Sequence, residues 1–119
     1  MTDILIIDDS EIQIKNIVRL FTSSGITSRA LSDPTAAINS IINDPPKVII
    51  LDIMMPGIDG LTLLRKIKEI PEISGIPVIM LSGKNFPPEK KKAIGLGAET
   101  YLTKPVKNET LINEVSTFL

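Results

Sequence analysis

The sequence predicts an α/β domain, a doubly wound parallel sheet of five strands flanked by five helices. Three observations lead there. Short aliphatic runs alternate with longer segments of helical period; three of those runs end at an acid or a hydroxyl; and no repeat, linker or low-complexity stretch divides the 119 residues. A chain of this length forms one domain, taken as 1–119, and buries enough surface for a single core without disulfide or metal staples. Its 43% apolar content and positive mean hydropathy place it among globular chains and exclude disorder.

Ile4-Leu5-Ile6-Ile7 reads as a strand buried on both faces, ending at Asp8-Asp9. Ile14, Ile17, Val18 and Phe21 then fall at i, i+3, i+4 and i+7, the face of a helix that Gly25 ends. Thr27 to Leu31 forms a second strand. Asp33-Pro34 supplies an N-cap and a first-turn proline for a helix reaching Asn43, which Pro45-Pro46 forbids from continuing. Val48 to Leu51 is the third strand, closed by Asp52. The turn residues Pro56-Gly57-Ile58-Asp59-Gly60 lead into a helix whose apolar positions are Leu61, Leu64 and Ile67. Pro77 to Leu81 is the fourth strand, followed at once by Ser82-Gly83. Pro88 to Gly97 is a weaker helix, Thr100 to Thr103 a short fifth strand, and Leu111, Val115 and Phe118 mark a last amphipathic helix.

Composition narrows the chemistry. With no Cys and no His, thiolate metal sites, cysteine nucleophiles, Ser-His arrangements and the commonest general base are all excluded. Carboxylates, lysines and hydroxyls must carry whatever the protein does. Thirteen basic against fourteen acidic residues leave a net charge of -1 and no global field for nucleic acid or an anionic membrane. The apolar runs are far shorter than the about 18 residues a membrane-spanning helix needs. Asp3 stands where a signal peptide would be positive, so a cytoplasmic location is expected, with no membrane and no direct nucleic-acid partner.

In an open α/β sheet, ligands bind beyond the carboxyl ends of the strands. The residues that follow the predicted strands are Asp8-Asp9, Asp52, Ser82 and Lys104, so every group suited to chemistry lies on that one edge. Together with the stretches Leu51-Asp52-Ile53-Met54-Met55-Pro56-Gly57-Ile58-Asp59-Gly60 and Tyr101-Leu102-Thr103-Lys104-Pro105, they resemble the receiver domain of two-component response regulators, from end to end of the chain.

The resemblance implies a flavodoxin-like strand order 2-1-3-4-5 and a function in signal transduction. Asp52 would accept a phosphoryl group from a histidine kinase or a histidine phosphotransfer protein, and an acyl phosphate on a carboxylate is reactive and short-lived. Asp9 and Asp52 would hold Mg²⁺ directly, or Mn²⁺ in its place, with Asp8 acting through water and the main-chain carbonyl of Met54 completing the protein ligands. Without a cation, three converging carboxylates repel and some of their pKa values rise; alone, Asp8-Asp9 could simply cap the first helix. Lys104 would pair with Asp52 at rest and with a phosphoryl oxygen afterwards, before a Lys104-Pro105 bond like the family's cis peptide. Ser82 would donate to the phosphoryl group beside Gly83, where most relatives have Ala. Tyr101 would be the switch aromatic. The domain would turn over no separate substrate, catalysing only its own phosphotransfer and dephosphorylation, and would signal to a downstream protein through the fourth helix, fifth strand and fifth helix.

That face carries Lys84, Lys90, Lys91, Lys92 and Lys107 with Glu89 and Glu109 interspersed, a solvated charge run or a surface for an acidic partner. Other chemistry fits less well. An aspartyl phosphatase would place a second Asp where Met54 stands, and a flavin-binding module would have a Ser-, Thr- and Gly-rich loop where Asp8-Asp9-Ser10-Glu11 would repel the phosphate. A degenerate receiver, signalling without phosphate, would lack part of the acid, hydroxyl and lysine set that is complete here.

Overall fold

Five strands, β1 (Ile4–Ile7), β2 (Ser28–Leu31), β3 (Val48–Asp52), β4 (Val78–Ser82) and β5 (Thr100–Thr103), form one sheet in the order β2-β1-β3-β4-β5. Every pair is parallel. This is a computed structural model, and it describes residues 2–53, 55, 58–83 and 87–119. The helices are α1 (Glu11–Ser23), α2 (Ala37–Asn43), α3 (Gly60–Glu69), α4 (Pro87–Gly95) and α5 (Asn108–Ser116). The doubly wound architecture is the one the sequence predicts, and the strand order the one its family resemblance implies.

The pleat sorts the core. Leu5, Ile7, Ile49, Leu51, Val78 and Met80 face a layer made with Ala37 and Ile41 of α2, Leu61, Leu64 and Ile67 of α3 and Ala93 of α4. Their strand neighbours Ile4, Ile6, Val48, Ile50, Ile79 and Leu81 face the opposite layer, with Ile17 and Phe21 of α1 and Leu111 and Val115 of α5. Alternate residues point to opposite faces of a strand, so continuous aliphatic runs are what a sheet covered on both sides requires. The edge strands β2 and β5 are only part-buried and carry Ser28, Arg29, Thr100 and Thr103. One of these, Arg29, closes the end of α2 by donating to the Ser40 carbonyl and hydroxyl and to the Asp44 carbonyl and carboxylate.

The departures from expectation are local. Asp33 does accept from the Thr35 amide as an N-cap, but Pro34–Ala36 form a 3₁₀ turn and the α-helix begins only at Ala37. Asp52 and Ser82 are the last residues of their strands rather than the first beyond them. Helix α4 begins at Pro87 and stops at Gly95, leaving Gly97 at φ +110 in the turn to β5. Gly25 ends α1 at φ +75; the Ile26 amide, next in the chain, donates to the Phe21 carbonyl and satisfies an orphan at the helix end.

Candidate functional site

At the end of β1 the Asp8 amide still donates to the Leu31 carbonyl, 3.1 Å away, so the residue is held in line with the sheet. Its Oδ1 accepts from the Ser10 amide at 2.9 Å. The N-cap of α1 is Ser10, not the Asp8-Asp9 pair; its hydroxyl accepts from the Gln13 amide at 3.3 Å. In a capping box the residue at Gln13 would reach back to the Ser10 amide, but Asp8 already occupies that donor. The Gln13 side chain instead accepts from Lys104 Nζ at 3.0 Å.

Lys104 Nζ also lies 3.3 Å from Asp52 Oδ1. Two backbone features place it: the Lys104 amide donates to the Ser82 carbonyl at 2.7 Å, and the Lys104-Pro105 bond is cis, as the family resemblance implies. Asp52 is buried, opposite Leu81 in the β3–β4 register. Behind it the start of α3 is packed against the strand end. The Gly60 amide donates to the Ile53 carbonyl at 2.9 Å, and Asp59 caps the helix by accepting from the Leu61 amide at 3.1 Å.

Asp8, Asp9 and Asp52 each bring a carboxylate oxygen within 4.8 Å of the others, Asp8 and Asp52 buried and Asp9 exposed. Burial pushes the Asp8 carboxyl up to about 6; the Ser10 amide opposes the rise and the charge of Asp52 adds to it. Its second oxygen, Oδ2, is buried with no hydrogen-bond partner among the described residues. A buried carboxylate oxygen without a donor is costly, and an oxygen-seeking cation that keeps several waters on its open side would relieve that cost. The residues present therefore fit Mg²⁺. The Met54 carbonyl, Lys84 and the turn residues Pro56 and Gly57 lie outside the described residues.

On the far side of β4 the arrangement changes. Ser82 follows Met80 on the α3–α4 face of the sheet by strand alternation, whereas Asp52 follows Ile50 on the α1–α5 face. Ser82 Oγ donates to Glu89 Oε1 at 3.3 Å, and Tyr101 OH donates to the same oxygen at 2.9 Å. Ser82 is fully buried and Tyr101 nearly so; burial raises the phenol pKa above its usual range. Glu89, read from sequence as part of a solvated charge run, is half-buried and turned toward the sheet, while Lys90, Lys91, Lys92 and Lys107 are exposed. Gln13 and Glu89 are thus the two site residues that sequence reasoning missed. For Gln13 the Ser10-x-x-Gln13 spacing was a signal, though it pointed to capping. Nothing in the sequence marked Glu89.

The chain belongs to the response regulator receiver domain family, whose model matches residues 4–116. It is a receiver domain of two-component signalling, a family that works through histidine kinases and downstream effectors and generally binds Mg²⁺ at an acidic pocket. It is 31% identical over 119 residues to the protein PilH of Pseudomonas aeruginosa, covering 100% of this chain and 98% of PilH. It is also 31% identical over 112 residues to the response regulator PleD of Caulobacter vibrioides, covering 94% of this chain but 25% of PleD. The chain thus spans a quarter of one curated relative and nearly all of another. Among solved structures, the receiver domain of Francisella response regulator 1452 superimposes with a TM-score of 0.90 at 30% identity, over 99% of this chain and 96% of that one. The chemotaxis protein CheY4 of Vibrio cholerae superimposes with a TM-score of 0.91 over 100% and 99%, and at 24% identity it speaks for the fold alone. Among the described residues no helix is long and apolar enough to cross a membrane.

Proposed function

We propose that Asp52 is the phosphoacceptor of this receiver domain, with Asp8 and Asp9 beside it as the residues that hold Mg²⁺ and Lys104 as the counter-charge. The observation that carries the reading is the 3.3 Å Lys104–Asp52 pair set against two further carboxylates. When bound, the cation supplies positive charge against the phosphoryl oxygens. The chain's own part is orientation and charge. Asp52 Oδ forms the new P–O bond as the P–N bond of a phosphohistidine on the partner breaks, and the released imidazole takes up a proton. Lys104, held by Gln13, meets the charge that spreads over the transferring group. Ser82 offers a hydroxyl proton to a phosphoryl oxygen, and Tyr101 follows it. The new bonds bias helix α4, altering the α4–β5–α5 face presented to a downstream protein. Attack by water on the acyl phosphate resets the domain.

Incubation with Mg²⁺ and acetyl phosphate tests this. The expected result is a mass gain of one phosphoryl group, absent in Asp52→Asn and abolished by EDTA. No gain in the wild type, or an equal gain in the variant, removes the reading.

A further inference from the structure

The two hydroxyls on the α4 side of the site converge on one acceptor, Glu89 Oε1, with Ser82 Oγ at 3.3 Å and Tyr101 OH at 2.9 Å. A proton committed to that carboxylate is not available to a phosphoryl oxygen on Asp52. The carboxylate belongs to the first turn of α4, a helix with one buried side chain, Ala93, and a weakly amphipathic, lysine-rich sequence. So little apolar burial leaves the Glu89 bonds as a main tie between the start of α4 and the sheet. Hydrogen bonds to a charged acceptor are about twice as strong as neutral ones, and this acceptor lies among part-buried groups where they weigh most.

We propose that Glu89 is the positioning residue of the resting state: its carboxylate holds Ser82 and Tyr101 toward α4, away from the phosphorylation site, and the helix start is released when Ser82 leaves it. The inference rests on Asp52 being the phosphoacceptor and adds what phosphorylation must displace. The coupling follows from the pleat. Asp52 and Ser82 end neighbouring strands but belong to opposite faces of the sheet, so a hydroxyl drawn toward the phosphoryl group must give up its partner on the α4 face.

Glu89→Ala removes the acceptor, and Glu89→Gln keeps an amide oxygen in its place without the charge. The chain has one tyrosine and no tryptophan, so its ultraviolet fluorescence reports Tyr101 alone; a phenol bonded to a carboxylate is quenched. In the unphosphorylated protein, fluorescence should rise in Glu89→Ala and rise less in Glu89→Gln. With Mg²⁺ and acetyl phosphate, the rate of phosphoryl gain should increase roughly three- to tenfold in Glu89→Ala and by less in Glu89→Gln, the scale of one net hydrogen bond. Unchanged fluorescence and unchanged rates in both variants, with a wild type that does take up phosphate, overturn the inference. Failure of the wild type to be phosphorylated instead sinks the phosphoacceptor reading, and the fluorescence arm then still decides whether Glu89 holds Tyr101.

Discussion

Lys104 Nζ is held from two sides, 3.3 Å from Asp52 Oδ1 and 3.0 Å from Gln13 Oε1. The contact joins α1 to the loop after β5 through a side chain that its helix cap left unused. Lysine is flexible and strongly hydrated, so an ammonium that must meet developing charge benefits from an acceptor that fixes it beforehand.

Removing that acceptor should therefore slow phosphorylation without abolishing it. In Gln13→Ala the rate with acetyl phosphate is expected to fall about three- to tenfold, the range for one net hydrogen bond. Lys104→Met, which removes the charge itself, should cost about a hundredfold or more. Timed mass spectrometry of quenched samples gives both rates. A Gln13→Ala rate equal to that of the wild type would show that the bond does not position the ammonium.

Gly60 abuts the backbone of the strand that carries Asp52. A Cβ built there would stand 2.6 Å from Ile53 Cα and closer still to the Asp52 carbonyl oxygen. Backbone atoms at a strand end cannot rotate away as a flexible side chain could, so Gly60→Ala must push α3 from β3. Overpacking of this kind costs about 1–3 kcal/mol, read as a lower urea midpoint. Because the displaced atoms belong to Asp52 and Ile53, the phosphorylation rate should drop as well. Loss of stability with an unchanged rate would mean that the shift is absorbed by α3 alone.

Arg29 offers the contrasting case, a clamp remote from the acidic rim. Its guanidinium bonds the Ser40 and Asp44 carbonyls together with both side chains, which a lysine cannot match with one nitrogen. Arg29→Lys is expected to lower stability by about 1–2 kcal/mol and leave the rate with acetyl phosphate where it was. Thermal unfolding beside the phosphorylation assay separates the two effects.

These contrasts show what the sequence carried. Strands buried on both faces are legible because short, β-branched runs such as Ile4 to Ile7 and Val48 to Leu51, each stopped by an acid, are what a doubly covered sheet requires. The acids, Ser82 and Lys104 were legible because the carboxyl-edge rule puts whatever follows such strands in one place. Glu89 was not, because α4 lacks an apolar stripe and a glutamate in its first turn is equally at home in water. Gln13 was hidden behind a spacing that normally means capping, and only the Asp8–Ser10 contact frees it. Partner choice among hydrogen-bonding side chains depends on which donors neighbouring residues have already taken, and that is settled in three dimensions.

Asp8 gives the protein a pH dependence that a cation should reverse. Its carboxyl titrates near 6 in the folded chain against an ordinary value of 3.8, chiefly because it is buried. A folded state that holds the proton more tightly than the unfolded one is favoured below the unfolded value. That advantage is lost as pH rises through the window from 3.8 to about 6, and above it the folded chain carries a buried charge. In EDTA, the contribution of this group should therefore lower stability across that window, and Asp8→Asn should flatten the decline and stabilise the metal-free protein at pH 7 by about 1–2 kcal/mol. Mg²⁺ binds the ionised carboxylates of the folded state, so its stabilisation should be small below pH 4 and grow toward pH 7, following the linkage between ligand binding and folding. In Asp8→Asn the Mg²⁺-induced rise in melting temperature should shrink, because one of the three negative charges is gone. Urea midpoints and melting temperatures, measured from pH 4 to 8 with EDTA and with excess Mg²⁺, test both halves. A Mg²⁺ effect independent of pH, or a metal-free stability in Asp8→Asn that tracks the wild type across the window, would mean that the Asp8 charge is not the cost the cation relieves.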